Sequence, residues 1–463
     1  MTVEERIRGR RIGIVGMARS GMATALLAYE LGGRPFVSDN GSAAALADHL
    51  HKLKAVNIPF ETDGHSDHLL ECDYIVISPG IPLTSDIVQR IRQKGLPIFS
   101  EIEFASWVCR GRIVAVTGSN GKTTTTTLIG EIFKAAGFET FVCGNIGRPF
   151  AEVAAQVPPE GVAVVEVSNF QLETVADFKP YVAMILNLSE DHLDRHGSFE
   201  EYKRIKYRIA ENQTSDNYLI LNQNDANTDP TEIKTSAKQI FFSAENSTNA
   251  VSFVRDSKLF LRHDGQEEQV ISYTDILIPG PHNLQNAAAA VVATSLLGVK
   301  PDIMNHALKT FPGVEHRLEN VGSVAGINFI NDSKATNVDS VCYALQSIES
   351  SLYLIAGGRD KGASYEPIIQ YGRGKIKGVV AIGEAREKLL QMLGREFPVQ
   401  FAGSMKEAVQ RCFEMAFPGE TVLLSPACAS FDMFDNFEQR GYAFKAAIAE
   451  LRNGKKDHES PAV

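Results

Sequence analysis

This chain of 463 residues has few cysteines and no long apolar run, and these absences exclude several classes of protein. Its six cysteines are scattered and form no C-x-x-C pair, which argues against a zinc site or a thioredoxin-type motif. They are also too few for a disulfide scaffold. No apolar run reaches the length of about 18 residues expected of a membrane-spanning helix, and the charged N-terminus lacks a signal-peptide pattern. We therefore expect a cytoplasmic protein without membrane insertion.

Basic residues are the minority among the charges. Lysine and arginine number 46 against 56 acidic residues, a formal charge of −10. This balance disfavours a general nucleic-acid or anionic-membrane binder, but it does not exclude a local pocket for a small anion. The 44% hydrophobic and 22% charged content is ordinary for a folded protein. At about 150 residues per domain, the length predicts roughly three domains.

Strands and helices alternate in three successive series along the chain. The first ends near residue 110, the second starts at Arg112, and the third starts after Gly313. Such alternation predicts βαβ units and mostly parallel sheets, hence an α/β protein with domains 1–110, 111–313 and 314–463. Residues 218–278 differ, and we interpret them as mixed strands beside the main sheet. The polar tail, residues 453–463, is expected to fray.

The strongest local signal is a glycine-rich loop between a strand and a helix, Thr117–Thr123, called the phosphate loop below. Its glycines let the backbone wrap a phosphate, with successive amide N–H groups pointing inward. Lys122 can neutralise phosphate charge, and the Thr123 hydroxyl can bind magnesium. The common Walker pattern requires a glycine where Val116 stands, so a plain strand-to-helix turn is the alternative interpretation.

The turn after the first strand, Gly16–Gly21, is a weaker nucleotide signal. It is close to G-x-G-x-x-G, but Ala18 replaces the glycine that normally lets a pyrophosphate approach the backbone. Asp39, at the end of the second strand, could still hydrogen-bond a ribose or a base. A Rossmann-like turn that binds no nucleotide fits these residues equally well.

Two polar residues follow strands in the domain of the phosphate loop. Glu166 ends the strand that starts at Val162, where a carboxylate is placed to hold magnesium beside a phosphate. His192 comes shortly after a strand that ends at Leu188. A single glutamate or histidine at such a position more often has a structural role. With both present, a structural role and a functional role fit equally well.

Lys206 lies on a helix whose start is marked by a capping-box pattern, Ser198 with Glu201. The apolar stripe of this helix consists of Phe199, Tyr202, Ile205 and Ile209. The spacing places Lys206 on the inward edge of that stripe. From these residues alone, a lysine that snorkels to solvent is the favoured interpretation.

Together these segments resemble the Mur ligase family over the whole chain. The matching segments are Ser78–Pro82, Thr117–Thr123, Gly144–Gly147, Glu166–Glu173, Glu190–Arg195, Gly280–Asn286, His316–Arg317, Asn331–Asn337, Ser425–Asp432 and Asn436–Gly441. The phosphate loop and the Asn331–Asn337 segment are shared across the family. The first turn with Asp39 and the closing segment point to the D-glutamate-adding member.

The resemblance implies a Rossmann-like N-terminal domain, a central P-loop ATPase-like mononucleotide-binding domain, and a C-terminal Rossmann-like α/β domain that closes over ATP. It also implies a monomeric enzyme of cytoplasmic peptidoglycan precursor synthesis. This enzyme would add D-glutamate to UDP-N-acetylmuramoyl-L-alanine (UDP-MurNAc-L-Ala) through an acyl phosphate. A carboxylate and an amine alone form only a salt, so phosphoryl transfer is the required activation, and catalysis rests on charge neutralisation and positioning.

The resemblance further implies roles for individual residues. The catalytic set is Lys122, Asn145, Glu166, His192 and Lys206. ATP would contact Gly118, Ser119, Asn120, Gly121, Lys122, Thr123, Thr124, Asn283, Asn286, Arg317 and Asp332. The UDP substrate would contact Arg19, Ser20, Asp39, Gly80 and Asn145. D-Glutamate would contact Lys334, Thr336, Lys361, Ser430 and Phe437. Two magnesium ions would be held by Thr123, Glu166, His192 and Lys206, the lysine being carbamylated by CO₂.

Other functions stay open at this point. Another amide ligase of the family, or a folate polyglutamate ligase, is disfavoured by the closing segment, and the Asp-Asn-Pro-Arg motif of the diamino-acid-adding enzyme is absent. A nucleotide-gated binding module would keep the phosphate loop without needing Glu166, His192 and Lys206 together. An NAD dehydrogenase built on the first turn is disfavoured by Ala18 and by the downstream phosphate loop.

Overall fold

Three β-sheets, one in each third of the chain, organise the fold. A computed structural model of the chain describes residues 2–263, 265–278 and 280–456. Within this part the chain separates into two compact units. The first runs to Ile276 and includes Gln285–Thr310, and the second comprises Leu277–Leu284 and the residues from Phe311 onward. The first unit contains two of the sheets, and the predicted domain boundaries after residues 110 and 313 stay a prediction.

The first sheet consists of five parallel strands. They are β1 (Arg11–Val15), β2 (Arg34–Ser38), β3 (Phe60–Glu61), β4 (Tyr74–Ile77) and β5 (Ile98–Ser100). The helices of this region are α1 (Val3–Ile7), α2 (Arg19–Glu30), α3 (Ala47–Ala55), α4 (Asp86–Gln93) and α5 (Glu101–Val108). The spatial order β3-β2-β1-β4-β5 reverses between β1 and β4, and doubly wound folds bind ligands at the carboxyl ends of such strands.

The second sheet has nine strands and carries the phosphate loop. They are β6 (Arg112–Thr117), β7 (Thr140–Gly144), β8 (Val162–Glu166), β9 (Val182–Ile185), β10 (Tyr218–Asn222), β11 (Lys238–Phe242), β12 (Ser252–Arg255), β13 (Lys258–His263) and β14 (Gln266–Ser272). The helices are α6 (Lys122–Ala135), α7 (Phe150–Val153), α8 (Asn169–Leu172), α9 (Leu193–His196), α10 (Phe199–Tyr207), α11 (Pro281–Ser295) and α12 (Pro301–Thr310).

Strands β10–β14 continue the second sheet, whereas the sequence interpretation had them beside it. The sheet order is β14-β13-β12-β11-β10-β9-β6-β8-β7, with β10 parallel to β9 and only β12-β13 and β13-β14 antiparallel. The buried run Leu219–Leu221 pairs with β9, so β10 lies in the interior of the sheet. The polar residues around this run weaken its strand signal in the sequence. Short 3₁₀ segments cover Asp67–Glu71, Ala154–Gln156, Arg208–Ala210 and Tyr273–Asp275.

The third sheet has six strands in the order β15-β16-β20-β17-β18-β19, with β15 antiparallel to β16. They are β15 (Glu319–Val324), β16 (Ile327–Asn331), β17 (Leu352–Gly357), β18 (Ile376–Ile382), β19 (Val399–Phe401) and β20 (Thr421–Leu424). The helices are α13 (Val338–Ser347), α14 (Glu366–Gly372), α15 (Arg386–Leu393), α16 (Met405–Met415) and α17 (Phe437–Lys456). Helix α17 contains the first residues of the tail expected to fray. The remainder, 457–463, lies outside the described residues.

Helix α5 connects the first sheet to the second through two buried carboxylates. Glu103 accepts the Trp107 indole N–H at 2.8 Å and the N–H groups of Ala176, Asp177 and Phe178 at 2.9, 2.9 and 2.8 Å. Glu101 accepts the Ala151 N–H at 2.5 Å at the start of α7. Buried carboxylates need such partners, so α5 positions the start of α7 and the segment that leads into β9. In the described part of the chain, no helix is both long and apolar enough to cross a bilayer.

Candidate active site

The phosphate loop connects β6 to α6, and its residue Gly121, which directly precedes α6, has a φ of 83° in the left-handed region. A Cβ at Gly121 would come within 2.4 Å of the Asn286 side-chain oxygen, so only glycine fits. Lys122 folds back over the loop, and its Nζ donates to the carbonyl oxygens of Gly118 and Ser119, each at 2.8 Å. The ammonium is therefore held beside the main chain that would surround a phosphate.

The prediction that successive amides of the loop point toward a phosphate is wrong for two of them. The Ser119 N–H donates to the main-chain oxygen of Asn187 at 2.9 Å, and the Asn120 N–H donates to its side-chain oxygen at 2.8 Å. The segment after β9 passes alongside the loop and supplies these acceptors. The first helical bond of α6 runs from Thr125 N–H to Gly121 O, so the first N–H groups of α6 have no acceptor inside the helix and suit an anion.

Glu166 lies at the centre of a polar cluster and is 1% exposed. One carboxylate oxygen accepts the Thr123 hydroxyl at 2.7 Å, and the other accepts the Asn145 side-chain amide at 2.9 Å. Strands β6 and β7 flank β8 in parallel, and this brings their carboxyl ends together. A carboxylate and a hydroxyl beside a phosphate loop are oxygen donors of the kind that Mg²⁺ prefers, so these residues fit the predicted metal.

Lys206 is buried, which contradicts the snorkelling interpretation. Its exposure is 1%, and its Nζ donates to Thr117 Oγ1 at 3.1 Å and to Gly118 O at 2.9 Å. Burial, with the nearby Lys122 ammonium, lowers the pKa of Lys206 well below its ordinary value, while the Asp191 and Glu166 carboxylates act in the opposite direction. An ammonium is no metal ligand, so Lys206 would fit the predicted metal only after losing its charge or being carbamylated.

The helix that carries Lys206 starts as predicted at Ser198, whose hydroxyl accepts the Glu201 N–H at 3.2 Å. The reciprocal half of the predicted capping box is missing. The Glu201 carboxylate instead binds the Arg204 guanidinium through two hydrogen bonds of 2.7 and 2.6 Å. Two hydrogen bonds between a carboxylate and a guanidinium are stronger than one hydrogen bond to the main chain, so Glu201 binds Arg204 instead of Ser198.

His192 precedes α9 with a φ of 53°, which is unusual for a residue other than glycine. Its ring lies edge-on to Phe170 with centroids 4.8 Å apart, and its Nε2 is 3.6 Å from Asp191 Oδ2. Asp191 was absent from the predicted site, although the neighbouring acids in Glu190–His192 were a usable signal. The metal-binding role of His192 stays a prediction.

The candidate UDP contacts lie at the carboxyl edge of the first sheet. The Arg19 guanidinium donates to Gly147 O at 3.4 Å in the loop that follows Asn145, and Ser20 is the next residue of α2. Asp39 accepts the N–H groups of Met17 at 2.6 Å and Gly41 at 2.7 Å, so its carboxylate braces the first turn. Arg195 holds the loop around Gly80 by donating to the carbonyl oxygens of Pro79 at 3.0 Å and Ile81 at 3.1 Å.

In the second unit, the candidate D-glutamate residues lie on loops after β16, β17 and β20 and at the start of α17. The Lys334 ammonium lies 5.1 Å from the centre of the Phe437 ring, and the Thr336 N–H donates to Lys334 O at 2.9 Å. The loop of Lys361 meets that of Ser430 through a bridge between Arg359 and Ala429. Ser430 is 3% exposed.

Of the candidate ATP residues outside the phosphate loop, Thr124, Asn283, Asn286 and Asp332 are buried and Arg317 is half-buried. Asp332 is 1% exposed and lies 3.9 Å from an Arg317 nitrogen, and burial raises the pKa of Asp332 to about 6 against the effect of Arg317. Asn286 accepts the Thr125 hydroxyl at 3.2 Å in the first unit. Asn283 lies in the first turn of α11 and is 6% exposed, and this turn belongs to the second unit. Thr124 lies in α6 and is 4% exposed.

Comparison with known families covers most of the chain. Residues 11–87 match the MurD N-terminal domain, residues 116–294 the Mur ligase middle domain, and residues 316–428 the glutamate ligase domain of Mur ligases. The chain belongs to the Mur ligase family. It is therefore a ligase that forms amide bonds with ATP in peptidoglycan precursor synthesis, and the predicted architecture of three α/β domains is confirmed.

Curated relatives match this Mur ligase over nearly its full length. The UDP-N-acetylmuramoylalanine–D-glutamate ligase of Thermoanaerobacter sp. (strain X514) is 40% identical over 451 residues, covering 96% of this chain and 99% of its own. The protein of the same name from Chlorobium phaeobacteroides is 41% identical over 465 residues, with coverage of 96% and 100%.

Solved structures of other Mur ligases share the fold. MurF from Acinetobacter baumannii has a TM-score of 0.62 at 17% identity, covering 97% of this chain and 98% of its own. MurC from Thermotoga maritima has a TM-score of 0.61 at 18% identity, with coverage of 96% and 100%. At these identities the likeness concerns the fold alone.

One buried arginine of this Mur ligase was missed by the assignment of site residues. Arg440 is 1% exposed, and burial lowers its pKa to about 10. It donates to the Ser333 hydroxyl at 3.1 Å, to Ser333 O at 2.8 Å and to Cys428 O at 3.0 Å. It thereby joins the segments that carry Lys334 and Ser430. A charged residue inside the Asn436–Gly441 motif was the signal that could have found it.

Proposed function

We propose that this Mur ligase joins D-glutamate to the L-alanyl carboxyl group of UDP-MurNAc-L-Ala, with ATP converted to ADP and phosphate. One structural observation carries the proposal: Lys122, Thr123, Glu166 and Lys206 converge on one phosphate loop, with Asn145 bound to Glu166. The choice of D-glutamate is supported by the relatives that bear this amino acid in their names and match almost end to end.

The chemistry proceeds in two balanced steps. An oxygen of the alanyl carboxylate attacks the γ-phosphorus of ATP, the bond to the bridging oxygen breaks, and ADP leaves. The D-glutamate amine then attacks the acyl carbon, phosphate leaves, and the nitrogen loses a proton. Lys122 neutralises phosphate charge and Asn145 orients the acyl phosphate, so positioning and electrostatics supply the catalysis.

The proposed metal ligands divide into two sets. Thr123 and Glu166 would hold one magnesium ion, and His192 with carbamylated Lys206 would hold a second. Bound magnesium supplies charge neutralisation at the phosphates. Glu166 is already oriented for this role, because both of its carboxylate oxygens are engaged by neighbouring side chains.

The surroundings of Lys206 support its carbamylation. Burial lowers the pKa of Lys206 and so favours the neutral amine, whose nitrogen attacks the carbon of CO₂ and then loses a proton. The resulting anion would be attracted to the nearby Lys122 ammonium and would supply oxygen donors where a metal is expected.

The remaining candidate residues would select the substrates. Lys334 and Lys361 would pair with the two carboxylates of D-glutamate, with Thr336, Ser430 and Phe437 completing its site. Arg19, Ser20, Asp39 and Gly80 would hold the UDP group. Asn283, Asn286, Arg317 and Asp332 would contact ATP. We place this monomeric enzyme in the cytoplasm, where its nucleotide substrates are found, and in cell-wall growth, shape and division.

A phosphate-release assay tests the proposal. UDP-MurNAc-L-Ala, ATP and magnesium are supplied with D-glutamate, L-glutamate, L-alanine or meso-diaminopimelate in turn. We expect release with D-glutamate only, and none when the UDP substrate is omitted. Release with a different amino acid would assign the chain to another specificity within the family, and release without any amino acid would indicate an ATPase.

A further inference from the structure

We propose that Asn187 is a positioning residue of the phosphate loop: it orients the Asn120 peptide so that the amides at the start of α6 are aligned for ATP. The inference rests on the proposed use of this loop for ATP, and it is independent of which amino acid is added. Asn187 itself makes no contact with ATP in this proposal and acts only through the loop.

The side chain of Asn187 binds both polar main-chain groups of Asn120. Its Oδ1 accepts the Asn120 N–H at 2.8 Å, and its Nδ2 donates to Asn120 O at 3.1 Å. Its main-chain oxygen accepts the Ser119 N–H at 2.9 Å. Two hydrogen bonds from one planar amide set the direction of the bound groups as well as their distance. The residue immediately before Gly121 is therefore oriented from outside the loop.

The two segments approach closely at Gly118, where the backbone conformation also favours glycine. Gly118 has a φ of 148°, and a Cβ there would lie 3.1 Å from Leu186 Cβ and 3.3 Å from both the main-chain N and O of Asn187. Val116 stands where the common Walker pattern has its first glycine. We infer that this loop, which lacks that glycine, obtains part of its rigidity from Asn187.

Asn187 is itself held by the turn that follows β10. Asn222 Nδ2 donates to Leu186 O at 3.0 Å, and Asp225 accepts the Leu188 N–H at 2.9 Å. Asn227 Nδ2 donates to Leu188 O at 2.8 Å. The residues on both sides of Asn187 are thus fixed before nucleotide binds, so its amide is already oriented toward the loop. Orientation in advance of binding lowers the entropic cost of ordering the loop around a phosphate.

Removing the side chain should therefore weaken nucleotide binding selectively. In Asn187→Ala, the Asn120 N–H and C=O lose their partners and the peptide before Gly121 can rotate. The main-chain bond from Ser119 to residue 187 remains, so the strand and the helix should still form. The loss of about one net hydrogen bond corresponds to an approximately tenfold rise in the dissociation constant for ATP.

The experiment measures ATP binding by calorimetry, and KM values by phosphate release, in the wild type, Asn187→Ala and Asn217→Ala. Asn217 is the matched control: it is 8% exposed and braces another loop of the same unit through bonds to Thr214 of 2.9 and 3.1 Å. We expect tenfold weaker ATP binding only in Asn187→Ala, with KM values for the UDP substrate and the amino acid within twofold of wild type. All three KM values rising together, or ATP affinity within twofold of wild type, would overturn the proposal.

A second variant covers failure of the alanine variant to fold. Asn187→Ser keeps a polar group that is too short to reach both Asn120 atoms, and it should show the same selective loss of ATP affinity. Unchanged affinity in a folded serine variant would count against the proposal. ATP binding is measured in the absence of the amino acid. A wild type that binds ATP but does not use D-glutamate would therefore contradict the proposed function and not the role of Asn187.

Discussion

At the scale of the residue, Lys206 shows how burial changes the chemistry expected of a side chain. Its spacing on the helix indicates an inward position, and the structure adds that its ammonium nitrogen touches Thr117 and Gly118 with 1% exposure. An amine in this position loses the hydration that stabilises its charged form. Lys203, on the same helix, lies instead 3.4 and 3.5 Å from the carboxylates of Glu200 and Glu232.

The variant Lys206→Ala should lose catalytic activity, because it removes the carbamate proposed to act at the metals. We expect kcat to fall at least about 100-fold, the scale of losing one electrostatic group in an active site. Added bicarbonate should not restore it, since no amine remains to react. Phosphate release is the measurement, with Lys203→Ala as the matched control. Full activity in Lys206→Ala would contradict the carbamate assignment.

At the scale of the element, α5 combines two buried carboxylates with different surroundings. Glu103 accepts four N–H groups, whereas Glu101 accepts Ala151 N–H at 2.5 Å and a longer bond of 3.5 Å from Gln171. Burial raises the pKa of Glu101 to about 7, against the effect of these bonds. The helix that joins the two sheets therefore carries a group that gains or loses a proton near neutral pH.

This pKa predicts that stability falls as pH rises through the range between the ordinary value of 4.5 and about 7. The folded chain binds this proton more tightly than the unfolded chain does, so the contribution is complete below 4.5 and lost above about 7. Glu101→Gln keeps an acceptor for Ala151 but cannot ionise. Relative to wild type, its free energy of unfolding should improve by about 2–3 kcal/mol between pH 5 and pH 8. Chemical unfolding at both pH values measures this, and an equal difference at both would contradict it.

At the level of the whole molecule, the first compact unit contains two sheets and the second contains one, and each unit has buried hydrophobic residues of its own. The first unit holds the phosphate loop with Glu166 and Lys206, and the second holds Lys334, Phe437 and the buried Arg440. A ligand that binds the folded chain but not the unfolded chain stabilises it by mass action. Nucleotide should therefore protect the unit that carries the phosphate loop.

ATP with magnesium at 100 times its dissociation constant should add about 2.7 kcal/mol to the stability of the unit that binds it. A thermal melt of the wild type should show this as a higher midpoint. Lys122→Ala should lose most of the shift at the same ATP concentration, because the charge beside the phosphates is removed. Lys134→Ala is the matched control on α6, since Lys134 is exposed and pairs with Glu131 at 2.8 Å. An equal shift in the wild type and Lys122→Ala would contradict the role of Lys122.

Local pattern predicted a large share of the fold. The strands β6 and β8 and the start of α10 at Ser198 agree with the predicted bounds, whereas β9 ends at Ile185 and not at the predicted Leu188. Edge strands such as β15 and β19 bury little and carry a weak apolar signal, so the sequence does not mark them. The prediction of a reciprocal capping bond from Glu201 to Ser198 was wrong, because the Arg204 guanidinium is a stronger partner for the Glu201 carboxylate.

Residue types at short spacing are enough to predict the phosphate loop, the succession of α/β sheets and the resemblance to a ligase family. The three-dimensional fold is needed to show that Lys206 is buried, that Glu166 contacts Thr123 and Asn145, and that Asn187 accepts two N–H groups of the loop. These partners are far apart along the chain. Their meeting depends on the order of parallel strands, which places the carboxyl ends of β6, β7, β8 and β9 along one edge of the sheet.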